Sequence, residues 1–196
     1  MDYNYLNNSS EQLLSYGLNS TSSKQQLGKL RAAFSKSLSA NLIGRFGERS
    51  NQSGVADGNS FLQKYWATEP VLIWMNRSIW RITTSVKYEQ RINAPEFGGE
   101  KAAIQSVNMD GRYSQNTTGI IQLRVSYSKI AYNGLWSAPI TYTMLDGLRQ
   151  GDNLLWYINW QRRVGKGIEL LMEYEGRKAG TDKVINTGRM SLRAIL

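Results

Sequence analysis

The chain has 196 residues, a formal net charge of +9, 41% hydrophobic residues, 18 glycines against 3 prolines, and neither cysteine nor histidine. That length admits one ordinary domain. The two absences exclude Ser-His-Asp and Cys-His catalysis, histidine and thiolate metal sites, and disulfides. No stretch approaches the run of about 18 apolar residues that a membrane helix needs, so any contact with a bilayer core falls to strands. The basic excess points to an anionic partner: nucleic acid, acidic lipid head groups or lipopolysaccharide phosphates.

Residues 1–28 read as a polar lead-in, external or a linker. Asp2 to Gln26 has no basic start followed by an apolar core, so a secretory leader is expected either to have been removed or to lie upstream in a longer chain. From Lys29 onward the signal is alternation with a period of two, as in strands with one apolar face. Leu30, Ala32 and Phe34 alternate with Lys29 and Arg31, and Leu38, Ala40, Leu42 and Phe46 with Ser39, Asn41 and Arg45. Val71 to Met75 is apolar throughout and its faces stay unassigned. Trp80, Ile82, Val86 and Tyr88 then oppose Arg81, Thr83, Ser85, Lys87 and Glu89. Val107, Met109, Gly111 and Tyr113 oppose Asn108, Asp110, Arg112 and Ser114, and Ile121, Leu123, Val125 and Tyr127 oppose Gln122, Arg124, Ser126 and Ser128.

The last three segments are the clearest. Leu154, Trp156, Ile158 and Trp160 oppose Tyr157, Asn159, Gln161 and Arg163. Ile168, Leu170, Met172 and Tyr174 oppose Glu169, Glu173, Glu175 and Arg177. Met190, Leu192, Ala194 and Leu196 oppose Arg189, Ser191 and Arg193. About nine strands are expected, most of them long enough to cross a bilayer at about 9–11 residues each.

Short connections (Ser35-Lys36-Ser37, Asn76-Arg77-Ser78, Gln115 to Gly119, Gly165-Lys166-Gly167) alternate with long polar ones (Gly47 to Glu69, Arg91 to Gln105, Ala131 to Asn153, Lys178 to Thr187). Outer-membrane barrels have this asymmetry, with short periplasmic turns and long external loops. The expected fold is therefore all-β: antiparallel transmembrane β-barrel strands over 29–196, with a soluble antiparallel sheet as the competing arrangement. Nine is odd and single-chain bacterial barrels have even counts, so the chain is expected to be the C-terminal part of a larger barrel; a tenth strand at Gln12 to Leu18 is the other option. In a barrel the lumen face carries Arg45, Arg81, Arg112, Arg124, Arg163, Glu169, Glu173, Glu175, Arg189 and Arg193. Placing Val164 opposite Ile168 brings Arg163 beside Glu169 and Asn159 beside Glu173, and Arg189 is expected to face Glu175. Trp74, Trp80, Trp156, Trp160 and Tyr174, with Trp136, are candidates for interfacial girdles. Basic loop residues such as Arg49, Lys64, Lys178 and Lys183 offer contacts to lipopolysaccharide phosphates, or are ordinary solvated charges.

The end of the chain, with Met190, Leu192, Ala194 and Leu196 in register, resembles the terminal strand by which barrel-insertion machinery recognises outer-membrane proteins, although the usual final residue is aromatic. Asp146-Gly147-Leu148, Asn153-Leu154-Leu155-Trp156, Gln161-Arg162-Arg163, Tyr174-Glu175-Gly176-Arg177-Lys178 and Asn186-Thr187-Gly188-Arg189 also look like the C-terminal region of large outer-membrane proteins of the Bacteroidota. The resemblance covers about the last quarter of the chain and implies an outer-membrane location and terminal barrel strands. The function expected is a structural wall in a transport or secretion pore, without an enzymatic role or cofactor. Its partners would be outer-membrane lipid and lipopolysaccharide, the insertion machinery and the rest of a larger barrel or membrane complex. The alternative is a soluble basic sheet binding nucleic acid or another polyanion. Carboxylate-pair glycosidase chemistry at Glu169, Glu173 and Glu175 is a third reading, which the alternation already accounts for.

Overall fold

The computed structural model describes residues 1–14, 17–54, 60–115, 119–135, 138–164 and 167–194. Ten strands follow one another: β1 (Asp2–Leu14), β2 (Gly17–Ala33), β3 (Leu38–Ser53), β4 (Phe61–Asn76), β5 (Trp80–Asn93), β6 (Lys101–Gln115), β7 (Gly119–Tyr132), β8 (Gly151–Arg163), β9 (Ile168–Ala179) and β10 (Ile185–Ala194). They form a single sheet in sequential order, each strand antiparallel to its neighbours. Helix α1 (Pro139–Leu145) interrupts the meander between β7 and β8. Among the described residues the sheet is not closed: β1 pairs only with β2, and β10 only with β9.

The polar lead-in is strand as well. All of β1 and the first part of β2 pair over thirteen positions, from Asp2–Lys29 to Leu14–Gly17. Both faces of this ribbon are largely polar, so no sustained apolar alternation marks it, but the backbone ladder needs none. The tenth strand is thus Asp2–Leu14, not Gln12 to Leu18. The long connections shrink for the same reason. β3 runs on to Ser53 and β4 starts at Phe61; β5 runs to Asn93 and β6 starts at Lys101; β9 runs to Ala179 and β10 starts at Ile185. Amide pairing continues where apolar alternation stops.

The tight turns have local causes. Ser35 Oγ accepts from the Ser37 and Leu38 amides at 3.2 and 3.0 Å, folding the β2–β3 turn. Arg77 takes a left-handed backbone (φ 49°) and the Ile79 amide donates to the Asn76 carbonyl at 3.2 Å. Pro70 has no amide to give, and the β4–β5 ladder is interrupted between Thr68–Tyr88 and Val71–Ser85. The register also settles the Val71 to Met75 run: Leu72 faces Ala40 and Thr84, while Val71, Ile73 and Met75 share the face of Asn41 and Arg81.

Candidate functional site: the polar face and its inward-folded helix

Cross-strand partners share a face, so the register sorts every side chain. One face carries Leu42, Phe46, Leu72, Val86, Val107, Met109, Leu123, Ile158, Met172 and Leu192, and all of them are exposed. On the opposite face Asn41, Gln63, Ser85, Glu89, Arg91, Asn93, Ser106, Ser128 and Asn153 are buried. On β5 alone, Val86 is 50% exposed and Glu89 6%.

The ten charges singled out from the sequence, Arg45, Arg81, Arg112, Arg124, Arg163, Glu169, Glu173, Glu175, Arg189 and Arg193, all fall on the polar face. Val164 donates to the Ile168 carbonyl at 2.8 Å, and Arg163 stands opposite Glu169 and Asn159 opposite Glu173. Arg189 stands opposite Glu173, at 3.8 Å, and Glu175 faces Thr187 instead. Counting across that connection missed by one pair because β9 and β10 extend into it. Arg45 pairs with Glu69 at 2.7 Å, Arg124 with Asp110 at 3.3 Å. Arg49, expected in a loop, lies on β3 and on the polar face, opposite Gln63.

The girdle candidates Trp74, Trp80, Trp156, Trp160 and Tyr174 all lie on the apolar face. At the short-turn end, Trp80, Tyr113, Ile121 and Trp160 form one continuous row across β5 to β8, with Trp80 and Tyr113 ring centroids 4.6 Å apart. Towards the other end, Trp66 and Tyr88 stand 5.3 Å apart, and the Trp66 indole donates to Gln90. Two residues beyond Trp66 the apolar face turns polar along Lys24, Glu48 and Lys64, with Lys24 and Glu48 paired at 3.2 Å. Trp136 and Leu196 lie outside the described residues; Met190, Leu192 and Ala194 are on the apolar face of β10.

The expected external loop between β7 and β8 instead sends a helix onto the polar face. Pro139 opens α1, and Asp146 (φ 52°) and Gly147 (φ 74°) close it in the left-handed region, with the Gly147 amide bonded to the Tyr142 carbonyl at 3.1 Å. Ile140, Met144 and Leu145 pack on Ala102 and Ile104 of β6 and Ile130 and Tyr132 of β7, the buried apolar cluster of the described residues. Arg91 fastens the helix end. Its Nη1 donates to the Thr143 and Met144 carbonyls at 3.0 Å each and to Asp146 Oδ1 at 2.9 Å, its Nη2 to Asp146 Oδ2 at 2.6 Å, and its Nε to Glu89 Oε1 at 2.6 Å. Lys87 holds the other Glu89 oxygen at 2.8 Å. A planar guanidinium suits this fork of carboxylate and carbonyl acceptors.

Two fully buried asparagines fix the connections at the same end. Asn153 donates to the Arg149 and Gly151 carbonyls and accepts from the Arg149 amide; Asn93 donates to the Phe97 carbonyl and Glu100 and accepts from the Leu62 amide. Arg91 and its helix were missed in the sequence because Arg91 sits where the apolar alternation ends. The available signal was parity: Lys87, Glu89, Arg91 and Asn93 continue the polar face of β5 past Tyr88.

Among the described residues no group of three or more acidic, histidine or cysteine side chains could hold a metal ion. Comparison of the chain with protein-family models and with curated proteins finds no match.

Proposed function

We propose that this chain is a section of an outer-membrane β-barrel wall, its apolar face against lipid and its polar face lining the lumen of a transport or secretion pore. The observation that carries this reading is the inverted burial: large apolar side chains are exposed on one face while Glu89 and Arg91 are buried on the other. Lipid accepts the first, and a wet lumen with cross-strand pairs accommodates the second. The aromatic spacing agrees with a bilayer. Trp66 and Trp74, like Trp80 and Tyr88, are eight residues apart, about 26 Å along a strand at roughly 3.3 Å per residue. At a tilt of about 40° this is roughly 20 Å of height, somewhat less than the apolar band of about 25 Å.

The free sides of β1 and β10 support the larger-barrel arrangement. An unpaired strand edge in hydrocarbon costs several kcal/mol per polar group, so further strands would cover both edges. α1 would then be a segment folded into the lumen. Basic side chains at the rim, such as Lys64 and Lys178, are the proposed contacts for lipopolysaccharide phosphates, and β10 the strand offered to the insertion machinery. The alternative, a soluble nucleic-acid module, needs aromatics and basic groups on one surface. The register puts Trp66, Trp74 and Trp80 on one face and most arginines on the other.

Membrane fractionation of the native protein, together with gel mobility before and after heating, tests the proposal. The expected result is recovery with the outer membrane and a heat-dependent shift. Recovery as a monomer in detergent-free buffer would overturn it.

A further inference from the structure

Where α1 ends over the polar face, it roofs a cavity of about 250 Å³ whose floor and walls come from β2 to β5. Gly47 has no side chain, and the Tyr65 ring occupies the place a β-carbon on Gly47 would take, 2.6 Å away; the next row holds Ala67. Three guanidinium groups line the space, Arg45, Arg49 and Arg91, together with Gln63, Tyr65 and the carboxylates of Glu89 and Asp146. Arg45 is committed to Glu69 at 2.7 Å, and Arg91 to Glu89 and Asp146 at 2.6 Å each. Arg49 has no carboxylate within ion-pair distance among the described residues. The buried Gln63 stands directly opposite it on β4.

We propose that this cavity is a binding site for a small oxyanion, a phosphate or carboxylate group on a free solute, held by Arg49. Guanidinium groups bind such anions through two parallel N–H bonds, and here the neighbouring positive charges of Arg45 and Arg91 are neutralised locally while that of Arg49 is left for a ligand. The Gln63 amide and the Tyr65 hydroxyl supply uncharged donors beside it. The space under the α1 roof, about 250 Å³, suits a phosphate or a compact organic acid. The cavity faces away from the apolar surface, so a lipid head group seated in a membrane does not reach it. The inference depends on the α1 roof and the strand register, not on the bilayer reading, and its test is separate from fractionation.

Calorimetric titration of the purified full chain with inorganic phosphate tests it, using glucose as a neutral probe and two variants, Arg49→Gln and Arg124→Gln. Arg124 lies on the same polar face but on β7, outside the cavity. The expected result is saturable phosphate binding that weakens about tenfold or more in Arg49→Gln, as for a lost charge-assisted bond, and stays unchanged in Arg124→Gln, with no glucose binding. Circular dichroism of Arg49→Gln, an exposed position, should match the parent. Absence of saturable binding in the parent, equal loss in both variants, or phosphate binding indifferent to Arg49→Gln would each overturn the proposal.

Discussion

Replacing Arg91 with alanine should release α1 from the wall while leaving the ten-strand ladder intact. The side chain is 10% exposed and makes five hydrogen bonds, four of them to the end of the helix. Removing one partner of a buried ion pair costs about 3–5 kcal/mol. The lower end applies here, because Asp146 is 59% exposed and regains water, and Glu89 keeps Lys87. Burial of Ile140, Met144 and Leu145 contributes roughly 5–9 kcal/mol at about 1.5–3 each. Ordering the seven residues of the helix costs about 7–14 kcal/mol at roughly 1–2 per residue. The two terms are comparable, so a latch of about 3 kcal/mol decides whether the helix stays docked. That loss corresponds to about a hundredfold rise in the local opening constant. Hydrogen exchange of amides 139–147 should accelerate by that factor, while strand amides of β6 and β7 exchange as before. Unchanged protection of α1 in Arg91→Ala would refute the reasoning, and so would collapse of the whole sheet.

Three further outcomes follow from the same geometry. Val107→Arg places a charge in the middle of the apolar face and should cost about 2–4 kcal/mol in lipid vesicles, read by equilibrium unfolding; a cost near zero would mean that this face meets water. Asn153→Ala removes the fully buried amide that ties Arg149 to Gly151 and should destabilise by about 1–3 kcal/mol, measured as a lower denaturation midpoint. Arg189→Ala should change stability by less than about 1 kcal/mol, because Arg189 is 77% exposed and 3.8 Å from Glu173, and a double-mutant cycle with Glu173→Gln should give a coupling in the same small range.

Much of this protein is written in its alternation. Wherever one face is apolar, a period of two fixes both the strand and the side each residue takes, so Leu154 to Arg163 and Ile168 to Arg177 were assignable residue by residue. The tight turn between them then set their pairing, Arg163 on Glu169 and Asn159 on Glu173. Side-chain pattern is silent where both faces are polar, and there the backbone decides: amides of Asp2–Leu14 pair as readily as those of any apolar strand. Strand extension also moved Arg49 out of a loop and gave Arg189 a different partner. The docking of α1 was beyond any local reading, because Arg91 and Asp146 lie fifty-five residues apart and meet only once β5 to β7 have been laid side by side. The sequence by itself determined the two faces of the alternating strands from Lys29 onward, apart from Val71 to Met75. The tertiary structure alone decided what lies against the polar face, since a charged side chain in a strand carries no mark of which distant segment will cover it.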